Sequence, residues 1–276
     1  MTSPVSFSLD EKTVLDPVGM TGNKLYSKAV ASTMAKKNLY PYFNVFNTLN
    51  IDVLDICYSL VGDFEANQAK NNKLEHGVVI NIEEDIVNIG IFNKGILIKT
   101  DYLKIGSNAI DKDIKYIYNL KEEDIKYLKE NFASLSSIAN YKYDTIELNT
   151  SNGNLIKINE SDVVKLITSR VINILDLAKN KFKTLTNKEI NYIIVTGELT
   201  ELSGCSQVVE KVLGPKSKIG NIKLIGARNN IYSSVIGSIY CLENKYKNIG
   251  MLNSLEIEKI NSKEYEWSRR KKCLMN

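Results

Sequence analysis

Apolar residues recur along this chain with two periods, and the places where the period changes divide it into segments. Pro4–Leu9 alternates as a short strand, and Asp16–Gly22 is rich in turn formers. Lys24–Ala31 resembles a second strand. A helix follows, with Pro41 suited to its first turn and Leu39, Phe43, Phe46 and Leu49 on one face. Ile51–Leu60 is a further strand candidate, Val61–Lys70 a polar helix, and Gln68–Leu74 a charged, Asn-rich boundary. From Gly77 the pattern becomes a meander: strand Gly77–Ile82, turn Glu83-Glu84-Asp85, strand Ile86–Phe92, turn Asn93-Lys94-Gly95, strand Ile96–Leu103.

Helices are predicted over Ser107–Tyr118 and Lys121–Phe132. A hairpin is expected next, with Tyr143–Leu148 and Asn154–Ile158 joined by Asn152-Gly153, a pair favoured in type I′ turns. A long amphipathic helix, Ser161–Phe182, carries the core stripe Val164, Ile167, Val171, Ile174, Leu175 and Ala178. The last third reads as a buried strand Tyr192–Val195, the turn Thr196-Gly197-Glu198, and helices Ser203–Leu213 and Ile231–Leu242. Gly237 in the last of these is placed for close helix packing. Beyond it the chain turns polar.

Composition narrows the function. The 276 residues are 43% hydrophobic and 25% charged, with a formal net charge of +4, so a sizeable core is expected and no strong polyanion partner. Arg170, Arg228, Arg269 and Arg270 are the only arginines, and no stripe interleaves them with aromatics, which argues against nucleic acid. Cys57, Cys205, Cys241 and Cys273 are far apart with no CxxC pair, so no metal is expected and a reducing cytoplasm fits. His76, the single histidine, heads a strand and reads as structural. No signal peptide or membrane-spanning run is apparent.

Three stretches carry a family resemblance. Leu15-Asp16-Pro17-Val18-Gly19-Met20-Thr21-Gly22 through Leu25 resembles the loop of the FtsA-specific subdomain. The meander opening at Gly77 sits where actin-like ATPases carry their second phosphate hairpin. Ile194-Val195-Thr196-Gly197 through Gly204 resembles the strand and adenosine loop of that superfamily, and Tyr232–Gly237 matches the helix that ends the FtsA fold. The chain is thus identified as similar to FtsA-type cell-division proteins, beginning after their first nucleotide-binding segment.

That resemblance implies an α/β fold with an actin-like (ribonuclease H-like) core. Residues 1–74 would be most of a small FtsA-specific (SHS2-like) subdomain used for self-association. Residues 75–102 and 186–245 would form the core subdomain, with 103–185 inserted as its outer partner and 246–276 a linker and basic tail.

The resemblance also locates a degenerate nucleotide site. Relatives resemble Asp-Ile-Gly-Gly-Gly-Thr-x-Asp at the second phosphate loop; here the stretch is Asn81-Ile82-Glu83-Glu84-Asp85-Ile86-Val87-Asn88. Glycines let backbone N–H groups approach phosphate, and the aspartates organise metal and water. Each of three carboxylates beside a triphosphate would repel it by on the order of a few kcal/mol at an effective dielectric of about 20. The Thr-Gly-Gly of the adenosine loop appears as Thr196-Gly197-Glu198, and of the nucleotide-facing Glu-x-x-Lys-x-x-x-Gly stretch only Lys129 survives. Two readings stay open: a non-catalytic adaptor without cofactor, or an actin-like ATPase binding ATP and magnesium in a site completed by another chain or domain.

In the adaptor reading the partner is the C-terminal tail of FtsZ, and Lys157, Lys165 and Arg170 are the candidate contacts. The tail residues Trp267, Arg269, Arg270, Lys271, Lys272 and Leu274 would make weak contact with anionic membrane, at roughly 1 kcal/mol per cation. The expected location is the inner face of the cell membrane at the division site.

Overall fold

The structure, a computed structural model, describes residues 2–14, 16–68, 75–132, 135 and 145–248. Its centre is a five-stranded sheet in the order β10-β9-β4-β5-β6, formed by β4 (His76–Ile82), β5 (Val87–Asn93), β6 (Ile96–Leu103), β9 (Tyr192–Thr196) and β10 (Ser217–Ile219). The meander β4-β5-β6 is antiparallel, while β9 lies parallel to β4 and β10 parallel to β9. The β5–β6 turn places Lys94 (φ 51°) and Gly95 (φ 75°) both at positive φ, as a type I′ turn requires.

Alternation along these strands divides the core between the two faces of the sheet. Val78, Ile80, Ile82, Ile193 and Val195 belong to a large cluster with α3 (Asn108–Tyr118), α4 (Glu122–Phe132), α5 (Glu160–Leu185) and α6 (Cys205–Leu213). Val79, Phe92, Tyr192 and Ile194 face the other way, against Leu60, Val61 and Phe64 of α2 (Ser59–Asn67). Phe64 stacks on Phe92 with centroids 4.6 Å apart. All six residues of the expected stripe on α5 are buried, joined by Val163 and Phe182.

α2 crosses α7 (Ser233–Asn248) at two glycines. A Cβ on Gly62 would lie 2.2 Å from the Ser234 carbonyl oxygen, and one on Gly237 would lie 1.7 Å from that of Gly62. The close packing expected of Gly237 is therefore present. α2 itself is a correction: Leu60, Val61, Gly62, Asp63, Phe64 and Asn67 are all buried, so it is a core helix and not a polar one. Its Glu65, Ala66 and flanking polar residues mask an apolar face that only the partner helix and sheet complete.

The N-terminal residues form a separate antiparallel sheet, β2-β1-β3, from β1 (Thr2–Leu9), β2 (Lys12–Val14) and β3 (Leu25–Ala31), followed by α1 (Lys36–Thr48). Pro41 lies inside α1, a turn later than expected. No described residue before Leu60 is buried. Residues 51–58, expected as a strand, have no regular structure, because no sheet edge is offered to them and the helix begins at Ser59. A two-stranded hairpin, β7 (Thr145–Asn149) and β8 (Leu155–Asn159), packs beside α5. Its loop is longer than the expected type I′ turn: Gly153 N–H donates to the Thr150 carbonyl, and Gly153 (φ 85°) is left-handed while Asn152 is not.

Candidate functional site

The candidate site lies at the carboxyl ends of β4 and β9. Asn81 and Thr196 are register partners there. Strand alternation puts both on the face that carries Val79 and Ile194, towards α2. Asp63, on α2, is fully buried against them. The Asn81 side-chain amide donates to Asp63 Oδ2 at 2.9 Å, and the Ser233 and Thr196 hydroxyls lie beside the carboxyl, whose Oδ1 has no hydrogen-bond partner among the described residues. Burial outweighs these neighbours and pushes the Asp63 carboxyl up to about 6. Asn67, one turn further along α2, accepts from the Asn221 N–H at 2.7 Å and donates to Ser233 Oγ at 2.7 Å. A buried polar seam thus joins α2, the sheet and α7.

The acidic turn sits beside this seam. Glu83 N–H donates to the Ile86 carbonyl, closing the turn. The carboxylate of Glu83 accepts from the amides of both Asn81 and Asn88, each at 3.3 Å. The start of α3 presses onto the same turn: Ser107 N–H donates to the Glu83 carbonyl and Asn108 N–H to that of Glu84, both at 2.9 Å. Gly106 permits the approach, since a Cβ there would lie 2.2 Å from the Glu83 carbonyl oxygen. Asp85 accepts from the Asn108 side chain at 3.3 Å and lies 3.9 Å from Lys112.

On the β9 side, Gly197 adopts φ 95°, and a Cβ would lie 2.2 Å from the Ile82 carbonyl oxygen, so glycine is required twice over. It leads into the short 3-10 helix Glu198–Glu201, and Glu198 accepts from the Ser107 hydroxyl at 2.7 Å. The structure therefore gathers Asn81, Glu83, Glu84, Asp85, Asn88, Thr196, Gly197 and Glu198 around the β4–β5 turn and the start of α3. Lys129 is engaged elsewhere, paired with Asp111 at 2.9 Å between α4 and α3. A cavity of about 450 Å³ is lined by residues including Thr200, Leu202, Gly204, Cys205, Gly220 and Asn221.

The three candidate partner-binding cations lie apart from this site, and each already holds an acid. Lys157 pairs with Glu147 across the β7–β8 hairpin at 2.9 Å, and Lys165 with Asp162 at 3.3 Å. Arg170 is bidentate to Asp113, at 2.5 and 2.7 Å, joining α5 to α3. That hydrogen-bonded pairing raises the Arg170 guanidinium further above its ordinary value. Trp267, Arg269, Arg270, Lys271, Lys272 and Leu274 lie outside the described residues.

Sequence reading missed Asp63, Asn67, Ser107, Asp113 and Ser233. For the first two a signal existed: Asp63 and Asn67 are four apart, and Asp63 interrupts the apolar run Leu60–Phe64. Among the described residues no group of three or more His, Cys, Asp or Glu side chains could hold a metal ion, and no helix is long and apolar enough to cross a membrane.

Known proteins resemble this chain in both sequence and fold. The MreB5 protein of Spiroplasma citri bound to ADP superposes with a TM-score of 0.63 at 16% identity, over 79% of this chain and 69% of that one. A non-polymerising MamK mutant bound to AMPPNP does so at 0.50 and 13%, over 67% and 58%. The fold is actin-like. The cell division protein FtsA of Bacillus subtilis is 21% identical over 239 residues, 86% of this chain and 54% of the relative. That of Staphylococcus epidermidis is 22% identical over 241 residues, 86% and 52%. The chain thus spans about half the length of the curated relatives it matches. A family profile described as cell division protein FtsA matches residues 67–237, well over half of the chain, and the chain belongs to that family.

Proposed function

We propose that this actin-like cell-division protein works as a binding adaptor whose nucleotide site has been converted into a buried polar seam. One observation carries the reading: the donors around the second phosphate loop are already bonded to carboxylates and carbonyls of the chain itself. The amides of Asn81 and Asn88 go to Glu83, the hydroxyl of Ser107 to Glu198, and the first N–H groups of α3 to the carbonyls of Glu83 and Glu84. A triphosphate would find carboxylates where it needs N–H donors, and Glu83, Glu84, Asp85 and Glu198 would oppose its charge. These residues do not fit ATP and magnesium, and no chemical step is assigned to them.

The partner is the acidic, apolar C-terminal tail of FtsZ, received on the unit carrying α3, α5 and the β7–β8 hairpin. Arg170 is its principal cation, since its planar guanidinium takes a carboxylate bidentately, as it does that of Asp113. Lys157 and Lys165 would add charge at the edges. Self-association would use the N-terminal sheet and α1, a helix without a buried residue and with Tyr40, Tyr42, Val45 and Phe46 exposed. The C-terminal tail would add weak contact with anionic lipid at the division site.

The test is fluorescence anisotropy with a labelled FtsZ tail peptide and the purified chain. Saturable binding that weakens at least tenfold, about 1.4 kcal/mol, in Arg170→Ala supports the reading. Absence of binding, or binding indifferent to Arg170, removes the partner assignment.

A further inference from the structure

Cys57 and Cys241 are 184 positions apart in sequence, yet both side chains pack on one cluster where residues 51–58 pass over α7, and Cys241 is the strongest influence on the Cys57 thiol, which itself donates to the Tyr58 carbonyl at 3.5 Å. Both are half-buried cysteines outside any disulfide, packed on the cluster that includes Leu60 and Phe64. The register of the two segments makes this a defined contact. Asp55 and Cys57 are two apart in irregular chain, and Cys241 and Lys245 are four apart on α7, one turn of the same face. Asp55 pairs with Lys245 at 2.5 Å, so two side-chain contacts run side by side between the segments.

The surroundings favour the anion at one of these sulfurs. The neighbouring side chains of Cys241 and then Ser238 hold the Cys57 thiol down at about 7 against burial and the nearby charges of Asp55 and Glu65. Lys245 offsets the first of those charges. Cys205 is the internal contrast. It is buried on the other face of the sheet, and burial pushes its thiol up to about 12.

We propose that Cys57 is an oxidation site of this protein and that Cys241 resolves it, forming an intramolecular disulfide that clasps residues 51–58 to α7. With a peroxide as oxidant, the Cys57 thiolate sulfur attacks one peroxide oxygen. The O–O bond breaks, a sulfenic acid forms, and the leaving hydroxide takes up a proton as water. The Cys241 sulfur then attacks the sulfenic sulfur, the S–S bond forms and the S–O bond breaks. A second water leaves with the Cys241 proton. Two thiols and one hydrogen peroxide become one disulfide and two waters. The product would fix the irregular segment that leads into α2 onto the helix α2 crosses.

The experiment treats the full chain with equimolar hydrogen peroxide, blocks remaining thiols by alkylation, and maps all four cysteines by peptide mass spectrometry. The expected product is a Cys57–Cys241 disulfide, reversed by dithiothreitol, with Cys205 recovered reduced. In Cys241→Ser the disulfide should vanish, and Cys57 should instead be trapped by dimedone as the sulfenic acid. Recovery of Cys57 as free thiol overturns the proposal. So does preferential pairing of Cys57 with Cys273 or with a second chain.

Discussion

Gly62 and Gly237 meet backbone to backbone: a Cβ on Gly237 would stand 1.7 Å from the Gly62 carbonyl oxygen. That contact sets the spacing between α2 and α7, and with it the depth at which Asp63 and Asn67 reach Ser233 and the strand ends. Gly237→Ala is expected to force the helices apart and destabilise the chain by roughly 3 kcal/mol or more, the upper part of the range for overpacked cores. Chemical denaturation checks it. A loss below 0.5 kcal/mol, the scale of an ordinary surface change, would mean the helices do not cross so closely.

Asp63 gives stability a pH dependence of definite sign. Its carboxyl ordinarily titrates at 3.8 and in the folded chain at about 6, so folding favours its neutral form. Its contribution is fully present below 3.8 and is lost as pH rises through 6. The groups facing it are Asn81, Ser233 and Thr196, with Glu83 nearby adding to the rise. The full shift corresponds to about 3 kcal/mol at most. Asp63→Asn should therefore raise stability at pH 8 more than at pH 5, read as the difference between denaturation midpoints. Equal effects at the two pH values would contradict the buried carboxyl.

Arg170 and Asp113 make opposite predictions for the partner site. Asp113→Ala leaves the guanidinium unpaired and free to take a carboxylate of the peptide, so tail-peptide affinity should rise several-fold or hold, with sharper salt dependence. Arg170→Ala should weaken that salt dependence, leaving the part that Lys157 and Lys165 supply. The check is anisotropy at two ionic strengths, and a fall in affinity for Asp113→Ala would mean that the orientation of Arg170 outweighs its charge.

What could be read from sequence was whatever local periodicity records. The meander strands and the α5 stripe follow from alternation and helical spacing, and both are observed. The acidic turn was also legible, since three successive acids at Glu83–Asp85 need no tertiary information. The seam was not, because it assembles side chains from positions 63, 81, 196 and 233 that only the sheet register and the α2–α7 crossing bring together. Residues 51–58 failed for a related reason. Ile51, Val53, Leu54 and Ile56 have strand-like propensity, and tertiary structure provides no edge to pair with them.

Isothermal calorimetry of magnesium ATP against the purified chain tests the central claim most directly. The account predicts no saturable heat at millimolar nucleotide, and none for a magnesium-free control. Binding in the micromolar range would contradict it: the carboxylates of Glu83, Glu84, Asp85 and Glu198 would then have to yield to phosphate, and an ATPase completed by another chain or domain would become the better description.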